Sequence, residues 1–275
     1  MIIIEPCAGL GNRMIALASA YCAASKNRHD LTVVWKEESV LAAPLSALFS
    51  LPENVAVEEI REQGFKADFI GQIKGNSVKK KYRKSADVFF EPDDIAAIYD
   101  REGSKGIDKL CRDNKCLYIK ATNPFYDIYD TEGAFDFMIP NKDILDKVSE
   151  VFGDAAGNVV GIHIRRTDHI EAIKNSPLEL FKEKIEAEIA GNSQVKFYVA
   201  SDDISVIKEL KGEYGKRILS YDSKVLDRNS LEGIRDAYVE MIILSRCTKI
   251  YGSFNSTFSK MASCIGHIPL IVVKK

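Results

Sequence analysis

The hydrophobic pattern of the first sixty residues alternates between short apolar runs and longer helix-like segments. Residues 2–5 form an apolar run, and a turn-rich stretch separates it from an alanine- and leucine-rich segment at 12–25, which predicts a helix. Residues 31–35 are β-branched and aromatic, which predicts a strand. We expect a further helix at 39–49 and a strand at 55–60. This alternation predicts a parallel sheet covered by helices.

The alternation weakens between residues 63 and 137 and returns in the second half of the chain. The predicted strands there cover residues 159–164, 195–200, 217–219, 249–251 and 268–273, and the predicted helices cover residues 178–190, 204–210, 231–245 and 256–264. We therefore predict an α/β protein made of two Rossmann-like, doubly wound domains, residues 1–140 and 141–275.

Composition narrows the class of protein. The 275 residues have a net charge of −2, with 46% hydrophobic and 28% charged residues, which is ordinary for a globular domain and gives no positive field for nucleic acid. The spacing of the six cysteines fits neither a disulfide framework nor a zinc site, so we expect reduced thiols. No apolar run approaches the ~20 residues of a membrane helix. The N-terminal residues do not resemble a signal peptide, and a cytoplasmic location is expected.

One stretch is strongly basic. Residues 74–84 hold six basic residues and no acidic one. Such a run is typical of a solvated loop or helix face. The second interpretation is a docking surface for an anionic acceptor or a lipid headgroup, which would bring the protein into peripheral contact with a membrane.

The chemistry of the second half lies where predicted strands end. The strand at 159–164 leads directly into Arg165, Arg166 and Asp168. Ligands of open parallel sheets bind beyond the carboxyl ends of strands, and the planar guanidinium of arginine suits phosphate oxygens. Asp168 would orient an arginine or accept from a sugar hydroxyl. A surface ion pair without any ligand explains this segment alone equally well.

Two more strand ends favour the phosphate interpretation. Ser201 and Asp202 follow the strand at 195–200, and we expect one of them to cap the next helix, which leaves the neighbouring carboxylate to face a ligand. The strand at 249–251 leads into a hydroxyl-rich turn before a helix, which offers N–H and hydroxyl donors to an anion. The polar residues of this turn are Ser253, Asn255, Ser256 and Thr257. Three polar strand ends on one side of one sheet predict a diphosphate site.

In this order the motifs resemble those of the α1,2/α1,6/protein O-fucosyltransferase superfamily. The likeness rests on His163-Ile164-Arg165-Arg166-Thr167-Asp168, on Ala200-Ser201-Asp202-Asp203, on Asp236, on Ser253-Phe254-Asn255-Ser256 and on Gly9-Leu10-Gly11-Asn12-Arg13-Met14. The form His-x-Arg-Arg-Thr-Asp is most similar to α1,6-fucosyltransferases and nodulation fucosyltransferases. The likeness covers about residues 1–40 and 158–265. It implies a GT-B fold of two Rossmann-like domains facing a cleft, with the C-terminal domain on the GDP-sugar side and the N-terminal domain on the acceptor side.

The resemblance also implies roles for individual residues. Arg165 would grip the β-phosphate, and Ser256 or its neighbours would donate to the diphosphate. His163 and Asp236 would lie at the guanine, while Gly11, Asn12 and Arg13 would approach the donor phosphates or the transferred sugar. From the residues alone, Asp236 shares a helix face with Glu232 and Glu240, so a solvated face is its first interpretation. The glycines of the first loop would equally serve only a tight turn.

The reaction implied is an inverting transfer of fucose from GDP-fucose to a hydroxyl of a carbohydrate acceptor. No cofactor and no metal are expected, since two arginines would replace the divalent ion and Asp202-Asp203 is not a DxD motif. The catalytic candidates are Arg165, Arg166, Asp168 and Glu171.

The general base stays open among Asp168, Glu171 and Asp202. The family's α1,6 members have a glutamate five residues beyond their aspartate, where this chain has Ile173. Glu171 would substitute, or the base would come from elsewhere. This departure favours one alternative, a non-catalytic nucleotide- or glycan-binding protein on a degenerate transferase fold. Another alternative is a transferase that uses a different GDP- or UDP-sugar.

Overall fold

The structure, a computed structural model, describes residues 1–61, 77, 80–153, 158–167, 170–227 and 229–275. The chain divides into two compact units. The first comprises Met1–Asn141 with Asp227–Ile234, and the second comprises Lys142–Leu226 with Arg235–Lys275. Each unit is built around one five-stranded parallel sheet.

Three helices with described bounds and seven strands belong to the first unit, and residues 80–85 are also helical. The helices are α1 (Leu10–Asn27), α2 (Pro92–Glu102) and α3 (Ser104–Asp113). The strands are β1 (Ile2–Pro6), β2 (Leu31–Glu37), β3 (Phe49–Ser50), β4 (Val55–Arg61), β5 (Val88–Phe90), β6 (Leu117–Ala121) and β7 (Ile139–Pro140). The parallel sheet has the order β4-β2-β1-β6-β5, and β3 pairs with β7 in an antiparallel ribbon. All five residues of β1 are buried, as expected of a central parallel strand covered on both faces.

Two features of the first unit differ from the sequence prediction. The helix expected at 39–49 is wrong, because this stretch holds only a short 3₁₀ turn, Leu45–Ala47, followed by β3. Pro44 explains the difference, since proline cannot donate a helical hydrogen bond and disfavours helix in the residue before it. The weakly patterned middle of the chain supplies β6, which pairs directly with β1 at the centre of the sheet.

The second unit follows the predicted pattern closely. Its strands are β8 (Val159–Ile164), β9 (Lys196–Ser201), β10 (Ile218–Leu219), β11 (Ile250–Ser253) and β12 (Leu270–Val273). Its helices are α4 (Lys142–Phe152), α5 (Ile170–Asn175), α6 (Leu178–Gly191), α7 (Ile204–Tyr214), α8 (Leu231–Ser245, whose first turn belongs to the first unit) and α9 (Thr257–Gly266). The strands run in parallel in the order β10-β9-β8-β11-β12.

Both sheets have a point at which strand order reverses, between β1 and β6 in the first and between β8 and β11 in the second. Ligands of open parallel sheets bind beyond the carboxyl ends of the strands at such a reversal. In the second sheet His163 pairs with both Ala200 and Gly252, so β8, β9 and β11 end level with one another. The expectation that three polar strand ends share one edge is confirmed.

A hydrophobic cluster fixes that edge from below. It joins Ile162 and Ile164 of β8 to side chains of α6 and α7, and it includes Phe181, Ile185, Phe197, Val206, Ile207 and Leu210. Because these side chains are nearly fully buried, the strand ends are carried on a close-packed support. Within the described ranges, no helix has both the length and the apolar character that crossing a membrane requires.

Candidate functional site

The first residues after β8 are tied to the end of β11. The backbone N–H of Arg165 donates to Ser253 Oγ at 3.0 Å, and this hydroxyl lies 3.3 Å from the carbonyl oxygen of His163, to which it donates. Ser253 is buried, whereas Arg165 is half-buried. The two arginines therefore leave the sheet at its reversal point, from a backbone that is hydrogen-bonded across the two central strands.

The carboxylate of Asp202 holds the next two residues. Its Oδ1 accepts from the backbone N–H of Arg166 at 2.7 Å, and its Oδ2 accepts from Thr167 N at 3.3 Å and Thr167 Oγ1 at 2.8 Å. Both oxygens are thus engaged in fixing the segment after β8. These hydrogen bonds give Asp202 a positioning role, and its predicted direct contact with the donor stays a prediction.

The cap of α7 is Asp203, which corrects the expectation of Ser201 or Asp202. Asp203 Oδ1 accepts from Ser205 N at 2.8 Å, and the hydrogen bonds from Ser205 lower the pKa of Asp203. The Ser201 hydroxyl is buried and accepts from Asp203 N at 3.1 Å. Two adjacent aspartates therefore divide two tasks, helix capping and support of the arginine segment.

Arg166 presents a partly satisfied guanidinium. Its Nη1 donates to the carbonyl oxygen of Ser176 at 2.8 Å. Its Nη2 is buried and has no hydrogen-bond partner among the residues that the structure describes. Burial lowers the pKa of Arg166, yet an arginine keeps its charge at working pH. A fixed cation with an unsatisfied buried donor suits an anionic ligand.

The turn after β11 prepares a helix N-terminus for an anion. Asn255 is exposed and adopts a left-handed backbone, with φ of 52°, which asparagine tolerates better than most residues. Within the described chain the Ser256 side chain makes no capping hydrogen bond to α9, and the first turn of α9 contains no acidic residue. Thr257 opens the helix and is half-buried. The amino-terminal end of a helix attracts negative charge.

His163 lies beneath this turn. Its side chain is 7% exposed, its ring stacks on that of Phe258 with centroids 4.8 Å apart, and its Nδ1 lies 3.3 Å from Ser256 Oγ. The imidazole is therefore packed between β8 and α9. Gly252 permits the close approach of α9 to the sheet, since a Cβ there would lie 2.6 Å from Ser259 Oγ.

Asp236 is buried, and the expectation of a solvated helix face is wrong. Its carboxylate accepts from Tyr221 Oη at 2.8 Å and from Val225 N at 2.7 Å. The segment after β10 folds over this face of α8, which the helical projection could not indicate. Since both oxygens accept hydrogen bonds within the unit, Asp236 anchors this segment.

Glu240, one helical turn further, forms a buried ion pair that the sequence did not indicate. Lys224 Nζ lies 2.8 Å from Glu240 Oε1 and also donates to the carbonyl oxygen of Ser201 at 2.7 Å. Burial raises the pKa of Glu240 to about 7, and the positive charge of Lys224 opposes this shift. The partners are 16 residues apart in a loop and a helix, so no local pattern predicts the pair.

The loop of the first unit uses its arginine differently. Arg13 is fully buried, and its Nε donates to Ala8 O at 2.8 Å, its Nη1 to Lys36 O at 2.5 Å and its Nη2 to Glu38 Oε1 at 2.5 Å. The guanidinium of Arg13 is thus enclosed by its own unit, and its expected approach to the donor stays a prediction.

The two residues that precede Arg13 also belong to the framework of the first unit. Asn12 Nδ2 donates to Thr122 O at 2.9 Å. Gly11 is buried as the second residue of α1, which begins two residues before the predicted start. These contacts explain the two positions by local structure.

Of the two remaining catalytic candidates, Glu171 and Asp168, the structure describes only Glu171. Glu171 is exposed on α5, and its Oε2 accepts from Asn175 Nδ2 at 3.2 Å. Asp168 lies outside the described residues. No group of three or more histidine, cysteine, aspartate or glutamate side chains among the described residues could hold a metal ion.

Comparison with known proteins identifies the fold. No family model matches the chain, and no curated protein matches it. Among solved structures, the NodZ alpha-1,6-fucosyltransferase soaked with GDP-fucose is 17% identical over 96% of this chain and 92% of that chain, with a TM-score of 0.62. POFUT1 in complex with GDP-fucose is 15% identical over 99% and 97%, with a TM-score of 0.60. The fucosyltransferase NodZ from Bradyrhizobium is 18% identical over 95% and 91%, with a TM-score of 0.59.

These similar structures belong to the superfamily that the sequence motifs resemble. The predicted fold class is confirmed. The chain has the GT-B-like α/β fold of these fucosyltransferases, with one five-stranded parallel sheet in each unit.

Proposed function

We propose that this chain is a glycosyltransferase that binds the diphosphate of a GDP-sugar, GDP-fucose in the first place, at the carboxyl edge of its second sheet. One observation carries the proposal. Arg165 and Arg166 leave the sheet at its reversal point, where Ser253 and Asp202 fix their backbone, and the turn before α9 follows the adjacent strand. The donors bound by the similar fucosyltransferases, GDP-fucose in NodZ and in POFUT1, support this choice of ligand.

The diphosphate is assigned to the arginine pair and to the start of α9. Arg165 is assigned the β-phosphate, and the buried Nη2 of Arg166 completes a second positive group. Asn255 and Thr257 lie at the amino-terminal end of α9, which adds backbone donors. The hydroxyls of Ser201, Ser253 and Ser256 serve this edge indirectly, because each is within hydrogen-bond distance of a protein atom.

The proposed reaction is an inverting transfer. The acceptor hydroxyl attacks C1 of the sugar while GDP leaves from the opposite face, and negative charge grows on the β-phosphate oxygen. Fixed arginines and helix donors stabilise this charge more in the transition state than in the ground state. We include in the proposal that these groups take the part of a divalent cation, and that no other cofactor is used.

The general base is assigned to a carboxylate in or next to the segment after β8. The carboxylate of Asp202 is engaged with the backbone of Arg166 and Thr167, which leaves Glu171 and Asp168 as candidates. Guanine is assigned to the region of His163 and of the segment that Asp236 anchors. We further propose a carbohydrate acceptor on the side of the first unit, and a cytoplasmic location.

A nucleotide panel tests the donor. We expect GDP and GDP-fucose to raise the melting temperature of the protein, and UDP and UDP-sugars to leave it unchanged. Stabilisation by UDP but not by GDP would overturn the choice of nucleotide. Release of GDP from GDP-fucose is then measured with and without a panel of glycans. Tight GDP binding without turnover on any glycan would favour a non-catalytic binding protein.

A further inference from the structure

Ser176, in the turn between α5 and α6, joins three of the strand ends that surround the proposed donor site. Its side chain is fully buried. Its Oγ accepts from the backbone N–H of Phe254 at 2.8 Å and donates to the carbonyl oxygen of Val273 at 2.6 Å. These two residues stand at the ends of the neighbouring strands β11 and β12.

The backbone of Ser176 makes the third connection. Its carbonyl oxygen accepts from Arg166 Nη1 at 2.8 Å, and this contact orients the guanidinium whose Nη2 is buried without a partner among the described residues. One residue thus fixes both an arginine after β8 and the first residue of the turn after β11.

We propose that Ser176 is a positioning residue for diphosphate binding, an inference that rests on the proposed function. Phe254 is followed at once by the left-handed Asn255 and by the start of α9. Holding Phe254 N therefore sets where the helix N-terminus begins relative to Arg166. Without the hydroxyl, the half-buried N–H of Phe254 and the buried carbonyl of Val273 lose their partner, and the turn relaxes away from this geometry.

Ser19 in the first unit is a matched control. It is also fully buried, its Oγ donates to the carbonyl oxygen of Ile15 at 3.0 Å, and it accepts from Phe125 N at 3.2 Å. Ser19→Ala removes the same two kinds of hydrogen bond as Ser176→Ala. The two variants should lose similar stability. A difference between them in nucleotide affinity would therefore reflect the place of Ser176 at the proposed donor site and not a general loss of stability.

The test is calorimetric titration of wild type and both variants with GDP and with GMP, which lacks the β-phosphate. We expect Ser176→Ala to weaken GDP binding about tenfold, the order of one lost buried hydrogen bond, and to change GMP binding much less. Ser19→Ala should keep both affinities. If Ser176→Ala does not fold, Ser176→Cys replaces it, since sulfur is a weaker acceptor, and a smaller loss of the same selectivity is expected.

Two outcomes separate the claims. If wild type binds GDP and the Ser176 variant keeps the wild-type ratio of GMP to GDP affinity, the positioning role is overturned while the proposed function stands. If wild type binds no GDP, the proposed function is overturned and the role of Ser176 with it.

Discussion

The two units share one sheet topology and use their arginines in opposite ways. In both, the strand order reverses at the centre, and an arginine is found close to the carboxyl end of a central strand. In the first unit Arg13 is fully buried, and all three guanidinium nitrogens donate to protein oxygens. In the second unit Arg165 and Arg166 are half-buried, and the protein fixes the backbone of both. The Arg166 guanidinium donates through Nη1 to Ser176 O, while its buried Nη2 has no partner among the described residues.

The difference shows that sheet topology alone does not determine how an arginine at the carboxyl edge of the sheet is used. The sheet topology places a chain segment where a ligand can bind. The acceptors around an arginine decide whether its guanidinium is satisfied within the protein or remains able to bind a ligand. Glu38 and two carbonyl oxygens enclose Arg13. The carboxylate of Asp202 instead accepts hydrogen bonds from the backbone N–H groups of Arg166 and Thr167, and the guanidiniums of the arginine pair have other partners.

The largest expected effect is on the stability of the first unit. Arg13→Ala leaves Glu38 and two carbonyl oxygens without their donor, and we expect a loss of about 3 kcal/mol in the free energy of unfolding, as for other broken buried ion pairs. Chemical denaturation measures this, with Arg61→Ala as the control because its ion pair with Glu37 is exposed. Equal stability of the two variants would contradict the framework role of Arg13.

The second largest effect is on ligand binding and not on stability. Arg165→Ala should weaken GDP binding by about 2 kcal/mol, the order of a hydrogen bond to a charged group, which is roughly a thirtyfold loss of affinity. Its unfolding free energy should change by less than about 0.5 kcal/mol. Arg217→Ala is the control, because Arg217 bonds Ser193 O and Val195 O at the opposite end of the sheet. Wild-type GDP affinity in Arg165→Ala would make the arginine structural and remove the contrast with Arg13.

Periodicity predicted the second sheet well, because its strands are nearly continuous apolar runs bounded by polar turns. It failed where local sequence and tertiary context disagree. The helix expected at 39–49 ignored Pro44, and β6 was missed because Leu117–Ala121 follows a stretch of mixed pattern. Central position in a sheet depends on pairing with β1, and no local window contains that information.

Prediction of the site from the sequence had the same limit, because individual side-chain roles depend on tertiary contacts. Polar residues at three strand ends were readable, because strand order and direction bring them to one edge. The sequence did not indicate that Asp203 caps α7 while Asp202 holds the segment after β8. This depends on which carboxylate meets the N–H groups 35 or more residues away. The burial of Asp236 also depended on a loop that packs over its helix face.

The interior charges of the units also differ in how they respond to pH. Arg13 keeps its charge, whereas burial raises the pKa of Glu240 to about 7 from an unfolded value near 4.3. The folded state therefore holds more protons between these values, and its stability falls as pH rises from about 5 to 7. We expect a loss of about 2 kcal/mol across this range relative to a double variant, Lys224→Met with Glu240→Gln, which removes both charges. Urea unfolding at several pH values measures it, and parallel profiles would contradict the buried titration.

The smallest expected effect concerns Ser256, where support of His163 and ligand binding compete for one hydroxyl. Ser256 Oγ lies 3.3 Å from His163 Nδ1, and the hydroxyl is buried. Ser256→Ala should therefore cost about 0.5 kcal/mol of stability, as for one weak internal hydrogen bond, and reduce GDP affinity less than about threefold.

Ser259→Ala separates these roles, since Ser259 is buried in the same helix and its Oγ donates to Ser256 O. If Ser256→Ala instead loses tenfold in GDP affinity while Ser259→Ala does not, the hydroxyl contacts the diphosphate directly. The second unit would then present a side-chain donor at its helix N-terminus, in addition to its arginines, and the contrast with the enclosed Arg13 would become sharper still.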